Sequence, residues 1–154
     1  MNEKTREILF SKEIPDDLLV HHREVPVYDV AANATRGGSV SYPLPYNAVK
    51  KMWTTPPSVK AERYLYERLV EAGYAVWKPF YDGILFNLLT ENEGRRYLIV
   101  FVLDSESERK LWRALELSES YRVVVVREKA GKEAKGAVGV GIDEVFDSFN
   151  FLTR

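Results

Sequence analysis

The chain has 154 residues, of which 45% are hydrophobic and 12% aromatic, which is enough for one domain with a substantial core. Its formal net charge of −1 gives no global signature of nucleic-acid binding, so any contact with RNA or DNA must come from a local patch. Cysteine is absent, which excludes disulfides, thiolate catalysis and zinc–thiolate sites.

Composition also bears on where the protein works. No run of about 18 apolar residues occurs, so no membrane-spanning segment is expected. The N-terminal stretch MNEKTREILFSKEIPDD lacks the apolar centre of a signal peptide. Glutamine is missing while charged residues make up 29%, a trend of hyperthermophile proteins. We expect a cytoplasmic protein from a thermophile.

The chain is predicted to divide near residue 57. The stretch VPVYDVAANATRGGSVSYPLPYNAVKKMWTTPPS is rich in Pro, Gly, Asn and Thr and is typical of short strands and turns. We therefore expect a small irregular N-terminal module over residues 1–57 and an α/β domain over residues 58–154.

The second region begins with a predicted helix. Ser58 is suited to cap it, apolar residues recur at helical spacing, and Gly73 is a good stop. Arg63 and Glu67, four residues apart, are expected to pair on its outer face. The stretches YAVWKPF and GILFNLL follow as strands joined around Asp82, and YLIVFV is a third strand.

A second helix is predicted from a capping box formed by Ser105 and Glu108. YRVVVVREK is then a strand, AGKEAKG a turn and AVGVGI the last strand. The order is α-β-β-β-α-β-β, in which three strands can form an antiparallel meander and the second helix can cross to a parallel neighbour. The predicted class is α/β (α+β), a mixed sheet flanked by helices.

The residues give little support for metal chemistry. His21 and His22 are adjacent on an extended segment, point to opposite faces and chelate one metal poorly. A magnesium-dependent nuclease could take one acid from Asp82, but YLIVFV supplies neither carboxylate nor lysine. The next acidic and basic residues, Asp104, Glu106 and Lys110, come after this strand and therefore too late to complete such a site. We predict no metal site and no cofactor.

Three stretches, YLYERLVEAGYAVWKPFYDGILFNLL, GRRYLIVFV and LWRALELSESYRVVVVREK, carry a resemblance to a known family. Their pattern and order resemble the C-terminal domain of the archaeal tRNA-splicing endonucleases over roughly residues 60–142. The resemblance implies a restriction-endonuclease-like C-terminal domain. It also implies a metal-free Tyr/His/Lys active site, at which the RNA 2′-hydroxyl is the nucleophile and a cyclic phosphate is formed.

The residues at the family's catalytic positions differ from that set. Leu88–Leu89 stand where the tyrosine is expected, Gly94–Arg95–Arg96 where the histidine is expected, and Glu119–Ser120–Tyr121–Arg122 in the lysine region. Arg122 can mimic a cation, but an arginine is no acid or base near neutral pH. No catalytic residue is predicted, and the chain resembles the structural, non-catalytic subunits of the family.

That resemblance implies a hetero-oligomer with a catalytic paralogue, which together bind precursor tRNA. The expected interface is the last strand, with Val138, Val140 and Ile142, together with Glu133 of the preceding loop. The same loop is basic and forms either a solvated hairpin tip or a phosphate contact; the candidate RNA-binding residues are Arg122, Arg127, Lys129, Lys132 and Lys135. Two alternatives remain open: a stand-alone magnesium-dependent nuclease that uses Asp82, and a binding module unrelated to nucleases.

Overall fold

The computed structural model describes residues 1–10, 23–42, 57–105, 107–147 and 152. The helices in these ranges are α1 (Glu3–Phe10), α2 (Pro57–Glu71), α3 (Ser107–Leu115) and α4 (Ile142–Asp147). The strands are β1 (Arg23–Asp29), β2 (Ala34–Tyr42), β3 (Ala75–Tyr81), β4 (Ile84–Leu85), β5 (Leu88–Asn92), β6 (Arg95–Phe101), β7 (Arg122–Arg127) and β8 (Ala137–Gly141).

The strands form one mixed sheet in the order β2-β1-β3-β5-β6-β7-β8, with β4 paired to β3 beside this path. β3, β5 and β6 pair antiparallel, and β6 pairs parallel with β7. A parallel neighbour requires the chain to return to the same end of the sheet, and α3 makes that return. The mixed α/β class, the meander and the crossover helix are therefore confirmed.

The sheet extends across the boundary predicted at residue 57. β1 pairs parallel with β3, where Val27 lies opposite Lys78, and β2 pairs antiparallel with β1. The short apolar pieces of the N-terminal region thus add two strands to the sheet of the C-terminal region.

His21 and His22 lie outside the described residues.

Both faces of the sheet are covered by helices. Side chains alternate along a strand, so Ile99 and Phe101 of β6 point to one face and Leu98 and Val100 to the other. The first group packs with residues of α1, α2 and α4, and the second packs with α3. We call these the α2 face and the α3 face. Burial on both sides explains the unbroken apolar runs of β6 and β7.

Helix α2 ends at Glu71, two residues before Gly73, the predicted stop. Gly73 has a φ of +87°, a left-handed conformation that glycine adopts without strain. Its N–H donates to Val70 O, and the N–H of Tyr74 donates to Leu69 O, both at 3.0 Å. These two bonds satisfy carbonyls at the end of the helix, as in a Schellman motif. The helix begins at Pro57, so Ser58 lies inside its first turn and the prediction of Ser58 as the cap is wrong.

The ion pair predicted on α2 forms, but not on an outer face. Arg63 Nη2 lies 2.7 Å from Glu67 Oε1, and the Arg63 side chain is fully buried. Every residue from 60 to 67 is buried, so this stretch of α2 has no solvent-facing side. The prediction of an outer-face pair is therefore wrong, because the sequence pattern does not reveal that the helix is covered all round.

The start of α3 also differs from the prediction. The Asp104 carboxylate accepts hydrogen bonds from the backbone N–H of Ser107 at 2.9 Å and from its hydroxyl at 2.8 Å. Asp104, rather than Ser105, thus caps the helix. Glu108 is not part of a capping box, because its carboxylate lies 2.7 Å from Arg127 Nη1.

The last two strands are parallel, so the predicted turn between them is wrong. Val124 pairs with Val138 and Val126 with Val140, both in parallel register. Residues 128–136 are therefore a crossover loop that returns along the sheet, not a hairpin tip. A Cβ at Gly139 would stand 2.5 Å from Gly131 O, so this glycine lets the loop backbone lie directly on β8.

Candidate functional site

Leu88 and Leu89 occupy the region where the resemblance expects a tyrosine. Both are fully buried, and they pair with Ile99 and Leu98 of β6. Leu89 packs on the α3 face and Leu88 on the α2 face. Neither side chain can give or take a proton, so this part of the sheet supplies core packing.

Arg96 belongs to the stretch Gly94–Arg95–Arg96 where the resemblance expects the histidine, and it is the centre of a polar cluster at the beginning of β6. Its Nη1 donates to the Tyr28 hydroxyl at 3.0 Å and to Asn33 Oδ1 at 3.1 Å. The guanidinium carbon lies 5.3 Å from the Tyr28 ring centroid. Tyr121, which directly precedes β7, lies beside it and interacts with both Arg96 and Tyr28. We call Tyr28, Asn33, Arg96 and Tyr121 the Arg96 cluster.

The turn between β1 and β2 positions half of this cluster. Asn33 has a φ of +53°, and asparagine is among the few residues that adopt this conformation readily. Asp29 Oδ1 accepts the N–H of Ala32 at 3.1 Å and fixes the turn. The Tyr28 hydroxyl donates to Asn33 Oδ1 at 2.5 Å, so the ring is held while it packs 5.8 Å from Trp77. The turn thus presents oxygen atoms to an arginine of β6.

The positive charge of Arg96 is only partly compensated and partly open to solvent. The side chain is 35% exposed, and its close partners Tyr28 and Asn33 are neutral. The carboxylate of Glu91 lies 3.7 Å from Nε, a long ion pair. The hydrogen bond to Tyr28 raises the pKa of Arg96, and burial raises the pKa of the Tyr121 phenol. The cluster therefore offers a fixed cation with hydroxyl and amide groups beside it.

Arg122, the predicted cation, lies at the same end of the sheet but on the other face. It is exposed and pairs with Tyr97, whose ring packs on the α2 face, while Val123 packs on the α3 face. Since successive side chains alternate, Arg122 points away from Arg96. Tyr121 joins Arg96 instead. The sequence did not predict that Tyr28 and Tyr121 belong to this site. For Tyr121, the sequence signal that could have found it is an aromatic residue placed directly before a buried strand.

Arg127, another predicted RNA-binding residue, is enclosed by carboxylates of the same chain. Nε and Nη2 donate to the two oxygens of Glu133 at 3.0 and 3.1 Å, and Nη1 donates to Glu108 at 2.7 Å. The hydrogen bonds to Glu133 and Glu108 raise the pKa of Arg127. The Glu133 side chain is only 6% exposed. The cluster joins α3 to the crossover loop, and both Arg127 and the proposed interface residue Glu133 are engaged within the chain.

The three lysines of the crossover loop are exposed. Lys129, Lys132 and Lys135 follow the loop from the end of β7 to the beginning of β8. Because the two strands are parallel, the loop must return the length of β7, about 16 Å for its six residues. The positive charges are therefore spread along the sheet and not gathered at one tip.

The predicted interface residues lie mostly in the core. Val140 and Ile142 are fully buried on the α2 face, and Val138 is half-buried against the same cluster. Alternation turns Val138 and Val140 inward because β8 is covered by helices on that face. The prediction that these side chains form a subunit surface is corrected accordingly. β8 is nevertheless the last strand of the sheet, so its outer backbone edge has no partner strand among the described residues.

Asp82, the acid of the alternative nuclease hypothesis, lies in the exposed turn between β3 and β4. Its φ of +51° is that of a turn residue, and Oδ2 lies 3.3 Å from Arg113 Nε. Across the part of the chain that the structure describes, no group of three or more His, Asp or Glu side chains could hold a metal ion.

No protein-family model and no curated protein matches the chain by sequence. None of the described helices is long and apolar enough to cross a membrane.

Proposed function

We propose that the chain is a non-catalytic, RNA-binding subunit of a tRNA-splicing endonuclease, and that it assembles with a catalytic paralogue. The observation that carries the proposal is the Arg96 cluster. In the stretch Gly94–Arg95–Arg96, where the resemblance expects the catalytic histidine, an arginine is held by two tyrosines and an asparagine. Such a group can bind a phosphate but cannot transfer a proton.

The absence of proton transfer follows from the chemistry of the cluster. Cleavage by the family's reaction needs a base to take the proton of the 2′-hydroxyl and an acid to protonate the leaving oxygen. Arginine stays protonated in proteins, and burial raises the pKa of Tyr121. Leu89 supplies only hydrocarbon. The cluster is therefore suited to hold RNA and not to cleave it.

RNA binding is supported by the state of the guanidinium. Arginine recognises phosphate through two parallel N–H donors, and its planar face stacks on aromatic rings. Arg96 is one-third exposed, lies over the Tyr28 ring and has its nearest carboxylate partner at 3.7 Å. The exposed lysines of the crossover loop provide further positive charge.

Assembly with a paralogue is supported by the sheet. Its order of a helix, an antiparallel meander, a crossover helix and a parallel strand is the order that the restriction-endonuclease-like resemblance implies. β8 ends the sheet with an open backbone edge, to which a strand of another chain can add. In this proposal the contact uses the β8 edge and half-buried Val138, not Val140 or Ile142.

The test is co-expression with a catalytic paralogue encoded in the same genome, followed by cleavage of precursor tRNA. We expect the two chains to co-purify, and the complex to cleave while the lone chain does not, with or without Mg²⁺. Arg96→Ala should weaken RNA binding by the complex about tenfold or more, since a charge-assisted phosphate contact is lost. Arg95→Ala, at an exposed arginine on the same strand, is the matched control. Metal-independent cleavage by the lone chain, yielding a cyclic phosphate, would overturn the proposal.

A further inference from the structure

Helix α3 presents a solvent-facing surface that the proposed function does not use. Trp112 is 73% exposed, more than any other large apolar side chain that the structure describes. It lines an open groove of about 530 Å³; the lining residues are Ile84, Arg109, Trp112, Arg113 and Glu116. The last four recur at helical spacing, so they share one side of α3 and the turn that follows. We call this set of five residues the α3 surface. An exposed indole beside arginines is typical of a contact with another protein.

The charges of the α3 surface are unevenly compensated. Arg113 Nε lies 3.3 Å from Asp82 Oδ2, and Arg113 Nη1 lies 3.0 Å from Glu116 Oε1. The Tyr81 hydroxyl donates to Glu116 Oε2 at 3.2 Å. Arg109 makes no ion pair with any residue in the described ranges. One end therefore carries a cation, Arg109, that has no ion-pair partner in the described part of the chain, and the other carries two carboxylates, Asp82 and Glu116, that share the Arg113 guanidinium. The charges of this surface sum to about zero. This disfavours a polyanion such as RNA as the binding partner and favours a protein surface that carries charges of both signs.

We propose that the α3 surface is the contact between two copies of this chain, with their α3 helices antiparallel about a two-fold axis. An axis between Trp112 and Arg113 places position 109 of one copy opposite position 116 of the other, because both are equally far from the midpoint. Arg109 then meets Glu116 twice, once on each side of the axis. Trp112 faces Arg113 of the second copy, a cation–π geometry. A self-complementary patch of this kind defines the isologous interface of most homodimers.

The proposal does not depend on the RNA-binding role, since the α3 surface shares no residue with the Arg96 cluster or the β8 edge. It also predicts the size of the contact. One helix face with a turn beside it is small, so the dimer should be weak and concentration-dependent. Sedimentation equilibrium of the full chain measures its dissociation constant directly.

Charge reversal gives the sharpest test. Arg109→Glu or Glu116→Arg alone places like charges opposite each other on both sides of the axis, and each should raise the dissociation constant about tenfold or more. An equimolar mixture of the two variants should recover wild-type affinity, because in the mixed dimer every carboxylate faces a guanidinium. Trp112→Ala should abolish the dimer. Lys132→Glu, a charge reversal on the crossover loop, is the matched control and should leave the dimer unchanged.

Each variant is first shown to be folded by circular dichroism. A wild-type chain that remains monomeric at about 1 mM, where even a very weak contact is populated, overturns the proposal. So does a mixture of the folded Arg109→Glu and Glu116→Arg chains that stays monomeric while the wild type dimerises. Dimerisation that survives Trp112→Ala also excludes this surface.

Discussion

Lys78 Nζ lies 2.6 Å from Glu62 Oε1 in the interior of the protein, where α2 meets β3. The amide of Asn87 donates to the same carboxylate oxygen at 3.0 Å, and its carbonyl accepts the N–H of Phe101 at 2.8 Å. These bonds connect α2, β3, the residue directly before β5 and the end of β6. Buried charges persist only when they are paired and hydrogen-bonded, so the connection fixes how the helix docks on the sheet.

Removal of one partner should therefore be costly. Lys78→Met leaves the Glu62 carboxylate buried without its cation, and we expect the free energy of unfolding to fall by about 3–5 kcal/mol. The double variant Glu62→Met/Lys78→Met should recover most of this loss, because two apolar side chains leave no buried charge. Urea denaturation measures both. A single variant as stable as the wild type would show that the pair contributes nothing to the docking of α2.

The same lysine should give the stability a dependence on alkaline pH. Burial lowers the pKa of Lys78 below its ordinary 10.5 more than the attraction of Glu62 raises it. Between the folded-state pKa and 10.5 the unfolded chain therefore binds more protons than the folded chain, so the free energy of unfolding rises with pH in that window. We expect the Lys78→Met variant to lack this rise in a series of urea denaturations. Parallel pH profiles of the two proteins would contradict the assignment.

The parts of the fold that were predictable from sequence depend on local signals. The stop of α2 at Gly73 follows from backbone conformation alone, and the meander of β3, β5 and β6 follows from short connections between apolar runs. The parallel pairing of β7 with β8 does not follow from local signals, since a link of nine residues more often joins the strands of an antiparallel hairpin than two parallel strands. Gly139 is the residue that admits the loop backbone onto β8. A strand glycine signals close approach but not which segment approaches.

The candidate site was predictable only in part, for a similar reason. The resemblance directed attention to Arg96 and Arg122, but strand alternation separates them onto opposite faces. Tyr28 is 68 residues away from Arg96 in sequence, and the two meet only because β1 joins the sheet beside β3. Nothing local to VPVYD predicts that contact. The enclosure of Arg127 by Glu108 and Glu133 likewise depends on the path of the crossover loop.

Gly139 can be tested directly. In Gly139→Ala the new methyl group would lie 2.5 Å from Gly131 O, so the loop backbone must shift. We expect a loss of about 1–3 kcal/mol in the free energy of unfolding, as for other overpacked sites. Gly131→Ala is the matched control, because its methyl group would meet only a Glu133 carboxylate oxygen at 3.7 Å, an ordinary van der Waals distance. Equal stability of the two variants would mean that the loop does not lie on β8.

Val140→Asp distinguishes a core residue from an interface residue. The side chain is fully buried between β8 and the helices of the α2 face, so an unpaired carboxylate there should destabilise the single chain by several kcal/mol. We expect a much lower melting temperature by circular dichroism, or no folded protein. Lys132→Asp, an exposed change in the preceding loop, should leave melting nearly unaffected. A well-folded Val140→Asp chain that fails only to assemble would return this residue to the interface.

The exposed lysines of the crossover loop provide a test of RNA contact. Each lysine that neutralises a phosphate releases condensed counterions, so affinity falls with salt in proportion to the number of such contacts. Replacing Lys129, Lys132 and Lys135 together by alanine should weaken RNA binding by the assembled complex and reduce the slope of its salt dependence. Folding should change little, because exposed charges contribute little to stability.

The spread of these lysines along the loop sharpens that expectation. Lys129 and Lys135 lie near opposite ends of β7, about 16 Å apart along its six residues. A contacted RNA backbone must then follow the loop, so single alanine variants should each remove part of the slope. The triple replacement by arginine keeps the charge and should keep the slope, which separates phosphate contact from loss of a particular side chain. RNA binding measured from low to moderate salt distinguishes the two possibilities. If the triple alanine variant has the same salt dependence as the wild type, the loop faces solvent in the complex.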